Sequence, residues 1–181
     1  MLTYVLLLRG INVSGQKSIK MTDLSNLLLT LGFKNCRSYI QSGNVVFNSS
    51  EVQSSLLEEK VTVAINKTFG FEVPVLIIES NIFTQILENS PWRINEDSDY
   101  KNFYFVLLKN NPQVELIKSL EAEKYPNEEF SISPNCVYLK CNNGYGKAKC
   151  NNNFFEKKLK VQATTRNYLT MQKLIEMIRE N

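Results

Sequence analysis

Ser38 to Phe47 reads S-Y-I-Q-S-G-N-V-V-F, and this stretch decides the fold because it holds two adjacent strands and their turn. The runs Ser38 to Ile40 and Val45 to Phe47 are rich in β-prone residues. Between them, the segment Gln41-Ser42-Gly43-Asn44 has the Gly and Asn residues that tight hairpin turns require. The stretch therefore predicts a β-hairpin, and the segments on either side of it complete a recognisable series.

Before the hairpin, the chain has the pattern of a strand followed by a helix. The apolar run from Thr3 to Leu8 predicts a strand, and a loop rich in Gly and Asn follows it. Four leucines then recur at the i, i+3, i+4 and i+7 spacing of one helical face: Leu24, Leu27, Leu28 and Leu31. Gly32 is placed to end this helix in a left-handed conformation.

After the hairpin, the same order continues with a helix and a strand. Ser50 and Gln53 match a capping box, and the helical stripe Leu57, Val61, Ala64 and Ile65 runs up to Gly70. Val73 to Ile78 then predicts a buried strand. Residues 1–80 therefore form a β-α-β-β-α-β unit of the α+β class.

The second half of the chain repeats this order. Residues 81–101 are predicted to connect the units through a short helix and a loop that holds Pro91, Trp92 and the acidic run Glu96 to Asp99. Residues 102–181 are predicted to form the second unit, which ends in an additional helix that could fold back on the first unit. Its predicted elements are a strand at Phe103 to Leu108, a helix after Pro112, strands at Phe130 to Ser133 and Val137 to Cys141, a helix through Phe154, Phe155 and Leu159, a strand at Val161 to Thr164, and a last helix with Met171, Leu174, Ile175 and Ile178 on one face.

Composition excludes several classes of function. The 181 residues are 43% hydrophobic, yet no apolar run reaches the roughly 18 to 20 residues that a membrane span needs, so no membrane partner and a cytoplasmic location are predicted. The four cysteines lack C-x-x-C spacing, which disfavours a zinc site and favours free thiols in a reducing compartment. The chain has no histidine, so Ser-His and Cys-His catalysis within one chain are excluded. We predict no metal and no cofactor.

Positive charge is concentrated near the C-terminus. The net charge is +3, and from Lys140 onward there are nine Lys and Arg residues but only three Glu residues. The segment from Asn143 to Lys149 is a basic loop whose Lys147 and Lys149 are candidate phosphate contacts, although it does not match a P-loop. A solvated surface is the commoner reason for such a bias, and an anionic partner is the alternative.

Two further segments are candidate ligand-binding sites. Arg9 and Asn12 follow the first predicted strand, where an arginine fork can bind phosphate or carboxylate and Gly10 allows close approach. Thr165, Arg166 and Asn167 are expected at the start of the last helix, where free amides and the helix dipole favour anions. Each segment also has a purely conformational interpretation, as a turn in the first case and as a helix cap by Thr165 or Asn167 in the second.

These segments together resemble the bacterial family called domain of unknown function 1697. The resemblance covers most of the chain and rests on three stretches: Tyr4 to Val13, Tyr39 to Phe47, and Thr164 to Asn167 with Thr170, Lys173 and Leu174. This sequence departs from the family pattern at Ala148, Cys150 and Tyr168. The resemblance implies two tandem ferredoxin-like units and no established activity.

The leading functional hypothesis is an anion-binding protein for nucleic acid or a nucleotide, with Arg9, Asn12, Arg166 and Asn167 as the main contacts and Lys147 and Lys149 in support. An enzyme acting on a small phosphorylated or carboxylated metabolite is the alternative, with Gln41, Ser42 and Asn44 orienting the substrate and neither histidine nor metal taking part. A protein-interaction module that uses exposed sheet edges is a further alternative. The first hypothesis predicts that Arg9, Ser42, Asn44 and Arg166 converge on one cleft. Oligomeric state is left open.

Overall fold

The computed structural model describes residues 1–94 and 100–180. The predicted acidic run from Glu96 to Asp99 lies outside the described residues. The chain forms two compact units. The first contains residues Met1–Gln85 together with the C-terminal residues from Lys173, and the second contains Ile86–Gln172.

The first unit follows the predicted β-α-β-β-α-β order. Its elements are β1 (Leu2–Leu8), α1 (Met21–Thr30), β2 (Lys34–Tyr39), β3 (Asn44–Ser49), α2 (Ser54–Phe69), β4 (Val75–Glu79) and α3 (Ser80–Glu88), which extends past the boundary of the unit. The strands form one antiparallel sheet in the order β2-β3-β1-β4, so β2 and β4 are the edge strands.

The second unit repeats this architecture. Its elements are β5 (Phe103–Leu108), α4 (Val114–Glu121), β6 (Glu128–Ile132), β7 (Cys136–Cys141), α5 (Asn152–Leu159), β8 (Ala163–Asn167) and the start of α6 (Tyr168–Arg179). Its own antiparallel sheet has the strand order β6-β7-β5-β8. The predicted fold class, α+β with two tandem units and a C-terminal helix, is confirmed.

The core of the first unit lies between one face of its sheet and its helices. Tyr4, Leu6 and Leu8 alternate along β1 and pack with Leu24 and Leu28 of α1 and with the apolar stripe of α2. This is the arrangement that a period of two in the strand and of 3.6 in the helix dictates. In the second unit, Val106, Leu139 and Phe155 are among the residues that form the equivalent core.

Two local predictions are wrong. The capping box at Ser50 does not form, because α2 begins at Ser54. The main-chain N–H of Gln53 instead donates to the Glu51 carboxylate at 2.9 Å. Thr164 to Asn167 do not form the first turn of the last helix, whereas the alternative interpretation of Asn167 as its cap is confirmed. These residues form β8, because the antiparallel ladder with β5 extends as far as Tyr104 opposite Asn167, and α6 begins one residue later.

Ile40, at the end of the first hairpin's leading strand, has an unfavourable backbone conformation. Its φ is +48°, a left-handed value that a β-branched residue rarely adopts, and its side chain is exposed. We expect Ile40→Asn to raise the free energy of unfolding by about 1 kcal/mol, because asparagine tolerates this conformation far better. Urea denaturation would measure the change. Ile40→Val keeps the β-branch and should bring no gain, and equal stability of the two variants would contradict the expectation.

Candidate functional site

The loop after β1 is held in one shape by the side chain of Asn12. Its amide group donates to the carbonyl oxygens of Ile19 at 2.9 Å and Gln41 at 2.7 Å, and its oxygen accepts from the Ile19 amide at 2.9 Å. Asn12 itself has a φ of +56°, which asparagine adopts more readily than most residues. Asn12 was predicted as a ligand contact. In the structure its side-chain nitrogen and oxygen bond backbone groups, so this residue organises the loop.

The hairpin turn packs directly against this loop. The Leu8 amide donates to the Gly43 carbonyl at 2.8 Å. A Cβ atom at Gly43 would lie 2.6 Å from Leu8 Cβ and 2.9 Å from Ile11 Cδ1, so only glycine fits. The hydrogen bond from the Asn12 side chain to the Gln41 carbonyl also joins the loop after β1 to the hairpin turn. We refer to residues 9–20 and 40–43 together as the first-unit tip.

The first-unit tip is cationic. Residues 1–50 contain five basic residues and one acid, Asp23. Arg9, Lys17 and Lys20 belong to the tip, and the Lys17 ammonium donates to the main-chain carbonyl of Glu72 at 2.7 Å, which brings one exposed glutamate near it. The tip therefore has the sign of charge that an anionic ligand requires.

Of the predicted hairpin residues, Gln41 and Ser42 are exposed at the tip, whereas Asn44 is buried. The Asn44 side chain donates to the Tyr39 carbonyl at 3.1 Å across the base of the hairpin. Asn44 thus closes the turn from the inside, while Gln41 and Ser42 are placed where a ligand can reach them.

In the second unit, the side chain of Thr165 bonds to α5, and the side chain of Arg166 bonds within β8. The Thr165 hydroxyl donates to the Asn152 side chain at 2.8 Å, and the Arg166 guanidinium donates to the Thr165 carbonyl at 2.9 Å. Burial lowers the pKa of Arg166 to about 10, so it stays cationic at neutral pH. Asn167 caps α6, because its side-chain oxygen accepts from the Thr170 amide at 2.9 Å.

The basic loop before α5 is more ordered than its composition predicts. Tyr145–Lys147 form a 3₁₀ turn, and the Tyr145 ring packs on Tyr104 with centroids 4.7 Å apart, so this ring is not free to stack on a base. The Lys149 amide donates to the buried Glu128 carboxylate at 3.1 Å, and its ammonium lies 5.4 Å from the centre of the Tyr125 ring. Lys147 is exposed.

The structure therefore gathers Arg9, Asn12, Gln41 and Ser42 at the first-unit tip. Thr165, Arg166 and Asn167 lie along β8 and at the start of α6 in the second unit, with Lys147 and Lys149 in the loop before α5. The convergence of Arg9 with Arg166 stays a prediction.

The sequence interpretation missed three side chains that bond to edge strands: Glu58, Asn152 and Glu156. The signal for Glu58 was present, since this acid shares the helical stripe of Val61 and Ile65.

The cysteines are free thiols, as predicted, and they are poorly suited to nucleophilic or metal chemistry. Burial raises the pKa of Cys141 and Cys150 to about 12 and that of Cys36 to about 11, so the reactive thiolate is scarce at neutral pH. Within residues 1–94 and 100–180, no group of three potential ligands is arranged to hold a metal ion.

Two depressions on the surface offer little to an anion. One, of about 590 Å³, is lined by Glu121, Glu123 and Glu128 among others, and Lys158 lowers the pKa of Glu123 by a direct hydrogen bond. The other includes Lys60, whose ammonium already donates to the Leu31 carbonyl at 2.7 Å. The first-unit tip is the better candidate.

No helix in the described part of the chain is long and apolar enough to cross a membrane.

Comparisons with known proteins identify the family of the chain. Among curated proteins, none matches the sequence. A solved structure described as conserved bacterial protein SP0830 from Streptococcus pneumoniae is similar, with a TM-score of 0.75, 24% identity and 98% of each chain covered, which shows a shared fold. The model of the family described as "Protein of unknown function (DUF1697)" matches residues 1–138, and the chain belongs to this family.

Proposed function

We propose that the protein binds an anionic ligand, a nucleic acid or a nucleotide, through the first-unit tip. The observation that carries the proposal is a cationic loop already folded by the three hydrogen bonds of Asn12. A loop that is ordered before binding does not have to be ordered by the ligand, so less of the binding energy is lost.

Each tip residue has a definite role in this proposal. Arg9 supplies a planar guanidinium that binds phosphate oxygens in pairs. Gly10, with a φ of +71° and no atoms within 4 Å of an added Cβ, leaves room for a phosphate near the backbone. The exposed Gln41 and Ser42 supply neutral hydrogen-bond donors beside the cations.

The residues of the second unit have a smaller part in the proposal. Thr165 and Asn167 use their side chains within the unit. Lys147 and Lys149 are both exposed cations of their loop, and they add charge attraction that does not depend on ligand sequence.

Arg9→Ala is expected to weaken binding of a fluorescent single-stranded oligonucleotide about tenfold, as measured by anisotropy. Because one phosphate contact is lost, the slope of log affinity against log salt should shrink by about 1. Arg179→Ala removes the same charge from an exposed position in α6 and should leave binding unchanged.

Four outcomes would narrow, replace or end the proposal. Equal affinity of Arg9→Ala and the unsubstituted chain, or binding that is independent of salt, would remove the nucleic-acid proposal. Competition by ATP at the same site would identify a nucleotide as the ligand. If a metabolite stabilised the protein in a thermal-shift screen equally with and without Arg9→Ala, the alternative hypothesis of an enzyme acting on a small metabolite would be favoured.

A further inference from the structure

The edge strands β4 and β8 each have backbone N–H and C=O groups that point away from their own sheet. In β4, the Arg9 amide bonds the Pro74 carbonyl, and Val5 and Leu7 are the β1 partners of Ile78 and Leu76. By the alternation of an antiparallel ladder, Val75 and Ile77 direct their N–H and C=O groups outward. The bond from Lys109 to Gln162 places Ala163 and Thr165 of β8 in the same situation.

In the first unit, α2 supplies a partner for this edge. The buried Glu58 carboxylate accepts the Ile77 amide at 2.9 Å, in a bond that is itself buried. Glu58 is one of the few buried acids in the described chain, and the anion site does not use it.

In the second unit, α5 does the same with two side chains one turn apart. Glu156 accepts the Ala163 amide at 2.9 Å, and the Asn152 amide group donates to the Ala163 carbonyl at 3.2 Å. The Arg166 guanidinium donates to the next outward carbonyl of the strand, that of Thr165. The outward groups of Ala163 are both paired.

We propose that Glu58 in the first unit, and Asn152 with Glu156 in the second, guard these edges against the addition of a strand from a second copy of this chain. An open edge is a template for another strand. The need is greatest at β4, where Val75, Leu76, Ile77 and Ile78 are consecutive, uncharged and β-prone. An incoming strand has to displace a bonded carboxylate and leave it without its partner.

The opposite edge of the first sheet is protected differently, which supports this interpretation. β2 has a register shift between Lys34 and Arg37, and Asn35 within it has a φ of +53°. Such irregularity disrupts pairing with a further strand. The straight strand β4 has no such break in its ladder with β1, and it is the strand that Glu58 caps.

The test compares two variants with three matched controls by size-exclusion chromatography with light scattering over a range of concentrations. Glu58→Ala and the double variant Asn152→Ala/Glu156→Ala should show a mass that rises with concentration above that of the unsubstituted chain. Glu58→Gln and Glu156→Gln keep an acceptor oxygen and should not. Glu59→Ala removes the same charge from the exposed neighbour of Glu58 and should also not.

A labelled peptide of residues 161–167 is the second probe. The double variant should bind it about tenfold more tightly than the unsubstituted chain does, since the freed groups of Ala163 can pair with it. Circular dichroism checks folding, and if Glu58→Ala does not fold, the double variant decides. A folded double variant of unchanged mass that gains no affinity for the peptide would overturn the proposal.

Discussion

Gly43→Ala is expected to lower the free energy of unfolding by about 3 kcal/mol or more, the largest effect of any single substitution proposed for this protein. Two costs combine at this position. The φ of +72° disfavours any side chain, and the new Cβ would lie 2.6 Å from Leu8 Cβ and 2.9 Å from Ile11 Cδ1. Both neighbours are buried, so neither can move away freely.

Gly10→Ala separates these two costs. Gly10 has nearly the same φ, +71°, but nothing lies within 4 Å of its added Cβ, so this variant reports the backbone cost alone. Urea denaturation of both variants should give a clearly larger loss for Gly43→Ala. Equal losses would mean that the hairpin turn and β1 separate easily, contrary to the packing described above.

Asn12→Ala is expected to lower stability by about 3 kcal/mol, at roughly 1 kcal/mol for each of its three hydrogen bonds. The same substitution should abolish oligonucleotide binding at the first-unit tip, because the loop that carries Arg9 loses its shape. Thermal or urea denaturation measures the first effect, and anisotropy measures the second.

Asn12→Asp is the matched control for this prediction. Aspartate keeps the oxygen that accepts from the Ile19 amide and tolerates the positive φ, but it loses the donors to Ile19 and Gln41. Because its second carboxylate oxygen would face the carbonyl oxygens of Ile19 and Gln41, this variant should be no more stable than Asn12→Ala. Arg9→Ala, in contrast, should weaken binding with little change in stability. If Asn12→Ala were as stable as the unsubstituted chain, Asn12 would not organise the loop.

Much of the fold could be predicted because its signals are local. The leucine spacing of α1 and the strand at Phe103–Leu108 agree with the structure, and Gly70 ends α2 with a φ of +79°. Boundaries failed where a partner strand decided them. Thr164 to Asn167 have the residues of a helix start, yet pairing with β5 keeps them extended.

The candidate site was harder to predict, since the role of a polar residue depends on what lies beside it in space. Arg9, Gln41 and Ser42 lie in a loop and a turn that were each predicted from local sequence, but only packing brings the two segments to one tip. Asn44 and Asn167 have the same kind of side chain, but one closes a turn from the inside and the other caps a helix. The local sequence predicted the turn and the helix cap, but it did not predict that Asn44 is buried at the base of the hairpin.

By itself, therefore, the amino-acid sequence determined the order of elements, the fold class and the family to which the chain belongs. Helical and strand periodicity and turn chemistry act over fewer than about ten residues, so they can be read along the chain. Only the tertiary structure decided that Asn12 bonds Gln41, 29 residues away, and that Glu58 bonds the Ile77 amide, 19 residues away. Such contacts form only when separate segments pack together, because packing fixes which side chain lies within bonding distance of which backbone group.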